Sequence, residues 1–470
     1  MELFGAELLI AEAISLEPKS GTRLHPARLL EAGSPKRAFI LGLLRREPVA
    51  LFIRLHGLLC RYLHSGDPLV IVTDWSDPCE VTGLRLYTPD GTADYPALCF
   101  LALHTDWAQP EASGIGEIFA HELSHLWLHR MGYSEANVRA NRFHTCTAIT
   151  DPFLAFAEGF AEHLELVTAL LEGRPMDALY DNGYDLGAWL CSRDAALRLH
   201  AAANNRFLYL TADPEPEDFD CYQHLHMAHI TSSAFMPERL KNGAQAIASE
   251  GVVASFFYRL YLAQRNLPAP RHVCRAFGAE DGDLPPVISF YLRVLCALSR
   301  VDLTRSSLFT DFVSAYMDCF PEERQQTAEI FGQVTNYVTV SRDAAGVFGA
   351  LYRIGRRGCP DDLKRAHAKA ASLKASLSEA VLSGRLRLNA AVAPAVWVEG
   401  DKSVCPVPWQ PQNTARLRFD ANAATAVDFF SLEGLSFDQC RRLAAQREAI
   451  GGFADRQSFD ACLARLRGGA

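Results

Sequence analysis

Residues 116–130, with the sequence GEIFAHELSHLWLHR, form an apolar stretch of helical period that is interrupted by His121, Glu122 and His125. Positions four apart lie on the same face of a helix, so the two histidines can present two ring nitrogens to one metal ion. Glu122 projects beside them and is placed to accept a proton from a water held by that ion. The stretch therefore predicts a metal-binding helix rather than an ordinary buried one.

A zinc site of the hydrolase type has three protein ligands and an open fourth position, so one further ligand is expected. The segment AFAEGFAEH supplies Glu158, a carboxylate among apolar residues, where a lone buried charge would be costly. Glu162 lies four residues on, on the same helical face, and is predicted to accept the free ring N–H of a ligand histidine. Glu162 and His144, the latter in NRFHTCT, remain open as alternatives for the third ligand.

HELSH followed by AEGFAEH resembles the gluzincin zinc metallopeptidases, in which HExxH is completed by a glutamate from a later helix. The resemblance covers residues 95–172. It implies that the strand before the metal-binding helix, ALCFLALH, is a sheet edge on which an extended substrate pairs its backbone. It also implies roles for five residues: His121, His125 and Glu158 as zinc ligands, Glu122 as general base, and Glu162 as the acid that orients a ligand histidine.

A hydrolase of this kind also needs a donor that stabilises the oxyanion of the tetrahedral intermediate. The segment DCYQHLHMAHITSSAF, residues 220–235, clusters several candidates ahead of a helical pattern. We predict Tyr222 and His229 for this role. The alternative, a solvated loop with one or two histidines in the core, stays open.

The hydrophobic period predicts an α+β fold. Residues 1–66 are predicted to be an N-terminal helical region, with apolar positions three and four apart. Three short runs rich in β-formers then predict strands within residues 68–75, 82–91 and 95–107. After two helices around HELSH and AEGFAEH, the pattern from 176 to about 395 is predominantly helical.

These patterns divide the chain into regions. Residues 67–398 are predicted to be a zincin-like metallopeptidase domain, with a small sheet in its N-lobe and a mostly helical C-lobe. Residues 399–414, rich in proline and polar residues, read as a linker. Residues 415–470 read as a small all-α domain of short helices.

Residues 419–466 resemble the competence-protein type of helix-hairpin-helix domain. The matching positions are Asn422, Gly434, Arg447, Glu448, Gly451, Gly452 and Phe453. The resemblance implies that the hairpin at Gly434 and Ser436 holds a DNA phosphate without reading sequence, while Arg441 and Arg442 contact the next phosphates. Residues 415–470 carry eight arginines and seven acidic residues, so a protein-docking role stays open beside DNA binding.

Composition limits the class of protein. The chain has 470 residues, 49% of them hydrophobic, and a net charge of −9, which argues against a surface devoted to nucleic acid. The 13 cysteines contain no CxxC pair, and the acidic start lacks the features of a secretory signal. No apolar run is long enough to span a membrane. We expect a cytoplasmic protein.

The leading hypothesis from the sequence is a zinc metallopeptidase that hydrolyses peptide bonds in a protein or peptide substrate, with its C-terminal domain as a possible targeting module. The alternative is a non-enzymatic DNA-binding or adaptor protein in which zinc is structural.

Overall fold

The computed structural model describes the chain in segments. None of the helices that it describes is long and apolar enough to cross a membrane. The described residues are 2–3, 6–14, 24–74, 82–110, 114–138, 150–173, 243–279, 284–305, 307–335, 360–391, 405–408, 418–422, 424, 429, 432 and 435–468.

The N-terminal part of the chain forms a mixed sheet, and the α+β class is confirmed. Its described strands are β1 (Glu2–Leu3), β2 (Ala6–Ala13), β3 (His25–Leu29), β4 (Leu69–Thr73), β5 (Thr82–Thr88), β6 (Gly91–Cys99) and β7 (Leu101–Leu103). The strand order is β6-β5-β3-β2-β4-β7, and β1 pairs with β2. Strand β2 runs parallel to β4 and antiparallel to β3, and β4 runs parallel to β7. Strand β7 therefore ends the described path, as expected for this part of the run ALCFLALH. The first three residues of that run, 97–99, belong instead to β6 at the other end of the path.

The prediction of an all-helical region over residues 1–66 is wrong for its first half. Strands β2 and β3 occupy it, and β2 pairs with β4, so the predicted boundary at 66/67 divides one sheet. Strand β2 lies inside the sheet, where its apolar residues form a nearly continuous run. Such a run has the same apolar pattern as a buried helix, so the period could not separate the two.

Two of the described helices lie between β3 and β4, and the others follow β7 in the chain. Those of the first half are α1 (Pro35–Leu43), α2 (Val49–Leu63), α3 (Ile115–Arg130) and α4 (Pro152–Leu171). The later ones are α5 (Gly243–Ile247), α6 (Glu250–Gln264), α7 (Arg271–Ala276), α8 (Pro286–Leu298), α9 (Leu308–Cys319), α10 (Arg324–Thr335), α11 (Pro360–Leu382), α12 (Leu388–Ala391), α13 (Phe437–Ala449) and α14 (Arg456–Gly468). This confirms the helical pattern predicted for residues 243–391, as far as they are described.

The chain divides into two compact units. The first takes its described residues from 1–135, 160–200 and 257–304, and the second from 136–159, 201–256 and 305–470. The division falls inside the continuous helix α4, between Gly159 and Phe160.

Helix α4 begins where its capping residues predict. The backbone N–H of Phe153 donates to Asp151 Oδ1 over 2.7 Å, and Pro152 occupies the first helical position. Gly173 follows the helix with a φ of +70°, a conformation that glycine adopts without strain. The local sequence therefore fixes both ends of the helix that carries Glu158.

Aromatic packing within the first unit holds α3 in place. Trp127 is fully buried, and its ring lies 6.3 Å from Phe52 of α2 and 6.2 Å from Tyr291 of α8, centroid to centroid. At the end of α3, the Arg130 guanidinium donates to the carbonyl of Pro68 over 2.9 Å. These contacts position the helix that carries HELSH against its neighbours.

Gly159, in the AEGFAEH motif, permits a close helix crossing within the second unit. A Cβ added there would lie 2.6 Å from the backbone oxygen of Glu250 and 2.6 Å from Val253 Cβ. Both neighbours belong to α6, and one of the two atoms is backbone. The glycine beside Glu158 is therefore required by packing.

The C-terminal module contains a short ladder as well as helices. Strands β8 (Pro406–Pro408) and β9 (Arg418–Asp420) pair antiparallel, and Cys405 is fully buried in the core of the module. The linker predicted over 399–414 is therefore wrong at residues 405–408, and the all-α class predicted for residues 415–470 is wrong at residues 418–420. The two prolines suggested a linker, but proline is tolerated in a two-stranded ladder, where each strand is an edge.

Several residues at the positions that resemble helix-hairpin-helix domains make contacts within this module. Asn422 accepts a hydrogen bond from the Phe453 backbone N–H over 2.7 Å and donates to the Phe453 carbonyl over 2.9 Å. Arg447 donates to the carbonyls of Ala421 and Ala424. Gly452 has a φ of +111° and lies against Asn422. These matched residues therefore have structural roles.

We expect Gly159→Ala to destabilise the protein by roughly 1–3 kcal/mol, because the added methyl group meets backbone and a β-branched side chain. Gly42→Ala is the matched control: it lies in α1 with nothing within 4 Å of the added carbon. That change should stabilise by up to about 1 kcal/mol through helix propensity. Chemical denaturation measures both, and equal effects of the two substitutions would contradict the close crossing.

A second prediction concerns His56 of α2, whose pKa is lowered to about 3 by burial and then by the nearby Arg130. In the unfolded chain a histidine binds a proton below about pH 6.5, so this residue contributes stability that is lost as pH falls from there toward 3. Between pH 7 and pH 5, the unfolding free energy of the wild type should fall by about 2 kcal/mol more than that of His56→Leu. If the unfolding free energies of the two proteins change in parallel with pH, the lowered pKa of His56 is contradicted.

Candidate metal centre

Helix α3 is buried along most of its length, and before its last turn the partly exposed positions are the two histidines and the glutamate of HExxH. From Ile115 to Leu128, His121, Glu122 and His125 are partly exposed and every other residue is buried. An apolar helix that is packed on several sides is not generally expected to expose only its polar residues. The pattern therefore indicates an access point for solvent. This access point coincides with the residues for which the sequence predicts metal binding and proton transfer.

Helix α4 shows the same pattern at one position. From Phe153 to Ala169, Glu158 alone is partly exposed, and the residues on either side of it are buried. Its neighbours Ala157 and Gly159 belong to the apolar packing of the helix. The carboxylate chosen from the sequence as third ligand is therefore the one in this stretch that reaches solvent.

These side chains converge. The Nε2 atoms of His121 and His125 lie 3.1 Å apart, with the ring centroids separated by 4.9 Å. Ligand atoms of His121, His125 and Glu158 all lie within 4.8 Å of one another. The structure thus brings together the predicted ligand set of two imidazoles and one carboxylate.

The donor set fits zinc. Two nitrogens bound to a tetrahedral zinc at about 2.0–2.1 Å would be separated by about 3.3 Å, close to the observed spacing. Imidazole and carboxylate are also the ligands of catalytic zinc sites that keep one position open. The same donors suit other divalent metals of the first transition row, so the chemistry of the site favours zinc without being exclusive to it.

A carboxylate also contacts the other ring nitrogen of His121. Glu165 Oε1 lies 2.7 Å from His121 Nδ1, and the Glu165 side chain is 4% exposed. The sequence predicts this kind of contact for Glu162, which is buried on the same helix. At His121 the contact is made by Glu165, and the role predicted for Glu162 stays a prediction.

Two further histidines near the site have other surroundings. The pKa of His129 is lowered to about 4, mainly by burial and secondly by the neighbouring His125. His163 is completely buried; its Nε2 lies 3.0 Å from the Tyr291 hydroxyl, and its Nδ1 is hydrogen-bonded to the Phe160 carbonyl. Burial lowers the pKa of His163 to about 3, so it is neutral at pH 7. His163 is therefore a histidine packed in the core.

Several predicted residues lie outside the described part of the chain. These are the oxyanion candidates Tyr222 and His229, the rival ligand His144, and the hairpin glycine Gly434.

The remaining C-terminal candidates are described. The hydroxyl of Ser436 caps α13: it accepts from the Gln439 backbone N–H over 3.2 Å, and Gln439 Oε1 accepts from the Ser436 N–H over 2.8 Å. This capping box gives Ser436 a structural role. Arg442 is exposed and Arg441 partly buried on the same helix.

No protein-family model, curated protein or solved structure matches the chain. Support for a function therefore comes from the residues of the site alone.

We expect the purified protein to bind about one zinc per chain, and Glu158→Ala to weaken that binding strongly because one of three ligands is lost. Glu172→Ala is the control, since this glutamate lies at the exposed end of α4. Elemental analysis and competition with a chromophoric chelator measure both. Equal zinc affinity in the wild type and Glu158→Ala would contradict the ligand assignment.

Proposed function

We propose that the protein is a zinc-dependent hydrolase of peptide bonds, with its site formed by α3 and Glu158 of α4. The observation that carries the proposal is the selective exposure of four residues in two otherwise buried stretches: His121, Glu122, His125 and Glu158. Three of them converge as a ligand set. A chance HExxH in a packed helix would not be expected to open to solvent at these positions and at a matching carboxylate on another helix.

His121, His125 and Glu158 would hold the metal. When bound with one open coordination position, zinc supplies a Lewis acid that polarises a carbonyl and lowers the pKa of water. The two Nε2 atoms, 3.1 Å apart, are the imidazole donors that this requires.

Glu122 is proposed as the general base. It follows His121 directly on α3 and is partly exposed, so its carboxylate can reach solvent and substrate at the opening between the ligand histidines. It takes a proton from the attacking water and returns it to the leaving amine, which converts a poor leaving group into a neutral one. A carboxylate at this position has no function in a site that only stabilises the fold.

The position of β7 agrees with an extended peptide as substrate. Strand β7 ends the described path of the sheet and is paired with β4 on one side. It precedes α3 in the chain, separated by residues 104–114. An edge strand offers unpaired backbone groups to which a peptide can add, and this gives affinity without dependence on particular side chains.

The alternative of a purely structural zinc site predicts a fourth protein ligand. Among the described residues, the convergent group contains three members, and His129 does not belong to it. A three-membered group leaves a position for water, as a hydrolase requires. His144, the other candidate for a closing ligand, lies outside the described residues.

DNA contact by the C-terminal module stays a prediction of the sequence. Ser436 is engaged in a helix cap, and the matched residues Asn422 and Arg447 serve the internal structure of the module. Arg441 and Arg442 remain the residues through which a phosphate backbone or an acidic partner would be contacted.

We expect Glu122→Gln to retain zinc and to lower kcat by about 10²–10⁴-fold, because the amide cannot accept the proton. Glu135→Gln, beyond the end of α3, is the control and should keep full activity. A library of fluorogenic peptides measures hydrolysis, and zinc content is determined on the same samples.

Wild-type protein that binds zinc but cleaves no peptide in the library, under conditions where a known metallopeptidase does, would favour the structural zinc site. Substantial turnover by Glu122→Gln would remove Glu122 from the mechanism.

A further inference from the structure

Glu165 lies where a carboxylate can control the orientation of a ligand histidine. Its Oε1 atom is 2.7 Å from His121 Nδ1, the ring nitrogen that does not point toward His125. Both ring nitrogens of His121 are therefore occupied: Nδ1 faces Glu165, and Nε2 lies 3.1 Å from its counterpart on His125.

The packing of α3 on the C-terminal part of α4 explains this contact. A Cβ on Gly116 would lie 3.2 Å from Glu172 Oε1 and 3.9 Å from Thr168 Cγ2. Five residues further along α3, His121 contacts Glu165, which precedes Thr168 in α4. Residues later in α3 thus contact residues earlier in α4, so the two helices run antiparallel within the first unit.

Burial makes the contact strong. Glu165 lies between Leu164 and Leu166, which are 0% and 2% exposed, and its own side chain is 4% exposed. A carboxylate in such surroundings is costly unless a donor faces it, and an imidazole N–H is such a donor. In this low-dielectric setting a hydrogen bond between the two groups would be stronger than in water.

We propose that Glu165 is the positioning residue of the metal centre: it accepts the Nδ1 proton of His121, holds the ring in the Nδ1–H tautomer, and so keeps Nε2 without a proton, as metal binding requires. Glu158, Glu162 and Glu165 follow one another at spacings of four and three on one stripe of α4. The acid that orients His121 is thus seven residues after the third ligand rather than four. The effect of Glu165 on metal binding rests on the proposed function, whereas its effect on the tautomer of His121 does not.

The tautomer is tested on the full chain without metal. Protein labelled with ¹⁵N-histidine is studied by long-range ¹⁵N–¹H correlation, and the His121 signals are assigned by their loss in His121→Gln. We expect the Nδ1–H form in the wild type, a mixture of tautomers in Glu165→Ala, and retention of Nδ1–H in Glu165→Gln, whose amide oxygen still accepts. An unchanged His121 spectrum in Glu165→Ala would overturn the proposal.

Zinc affinity gives the second readout, by chelator competition on the same variants. Glu165→Ala should bind zinc about 10–100-fold more weakly than the wild type, with Glu165→Gln between them. Glu172→Gln should leave the affinity unchanged. If Glu162→Gln weakens binding and Glu165→Gln does not, the positioning role belongs to Glu162 and the proposal is wrong.

The two readouts separate the failure of this inference from that of the proposed function. Zinc bound equally by the wild type and both Glu165 variants overturns the positioning role while the metal centre stands. Failure of the wild type to bind zinc overturns the metal centre, and the tautomer measurement then decides the role of Glu165 alone. If Glu165→Ala does not fold, Glu165→Gln, which keeps the shape of the side chain, decides the affinity test.

Discussion

The packing of α3 among its neighbours is the constraint on which the site depends. Trp127 and the apolar residues around HELSH are buried, so a polar group on this helix is stable only if it reaches solvent or meets a partner. His121 does both, through its partly exposed ring and through Glu165. The packing thereby restricts the orientation of the His121 ring, which gives the proposed metal site the rigidity that binding requires.

The sequence was sufficient to predict that His121, His125 and Glu158 lie close together, and to predict the two helices that carry them. Helical spacing placed His121 and His125 on one face, and the costly burial of a carboxylate in AEGFAEH singled out Glu158. Capping by Asp151 fixed the start of α4. These predictions succeeded because each depends on local geometry, which a short stretch of residues determines by itself.

Features that depend on tertiary contacts were harder to predict. The crossing of two helices sets which acid of the α4 stripe contacts His121; that acid is Glu165, and the role of Glu162 stays a prediction. The sequence pattern of β2 predicts a helix because a buried strand lacks alternation. The composition of residues 405–408 predicts a linker, although their pairing with β9 and the burial of Cys405 join them to the C-terminal module.

X-ray absorption fine structure of the zinc-loaded protein tests the central claim most directly, because it reports the atoms bound to the metal. The account predicts a first shell of nitrogen and oxygen at about 2.0–2.1 Å, with outer-shell scattering from two imidazoles. Loss of one oxygen ligand in the zinc that Glu158→Ala still retains would agree with it. A first shell containing sulfur at about 2.3 Å, or the scattering of fewer than two imidazoles, would contradict it.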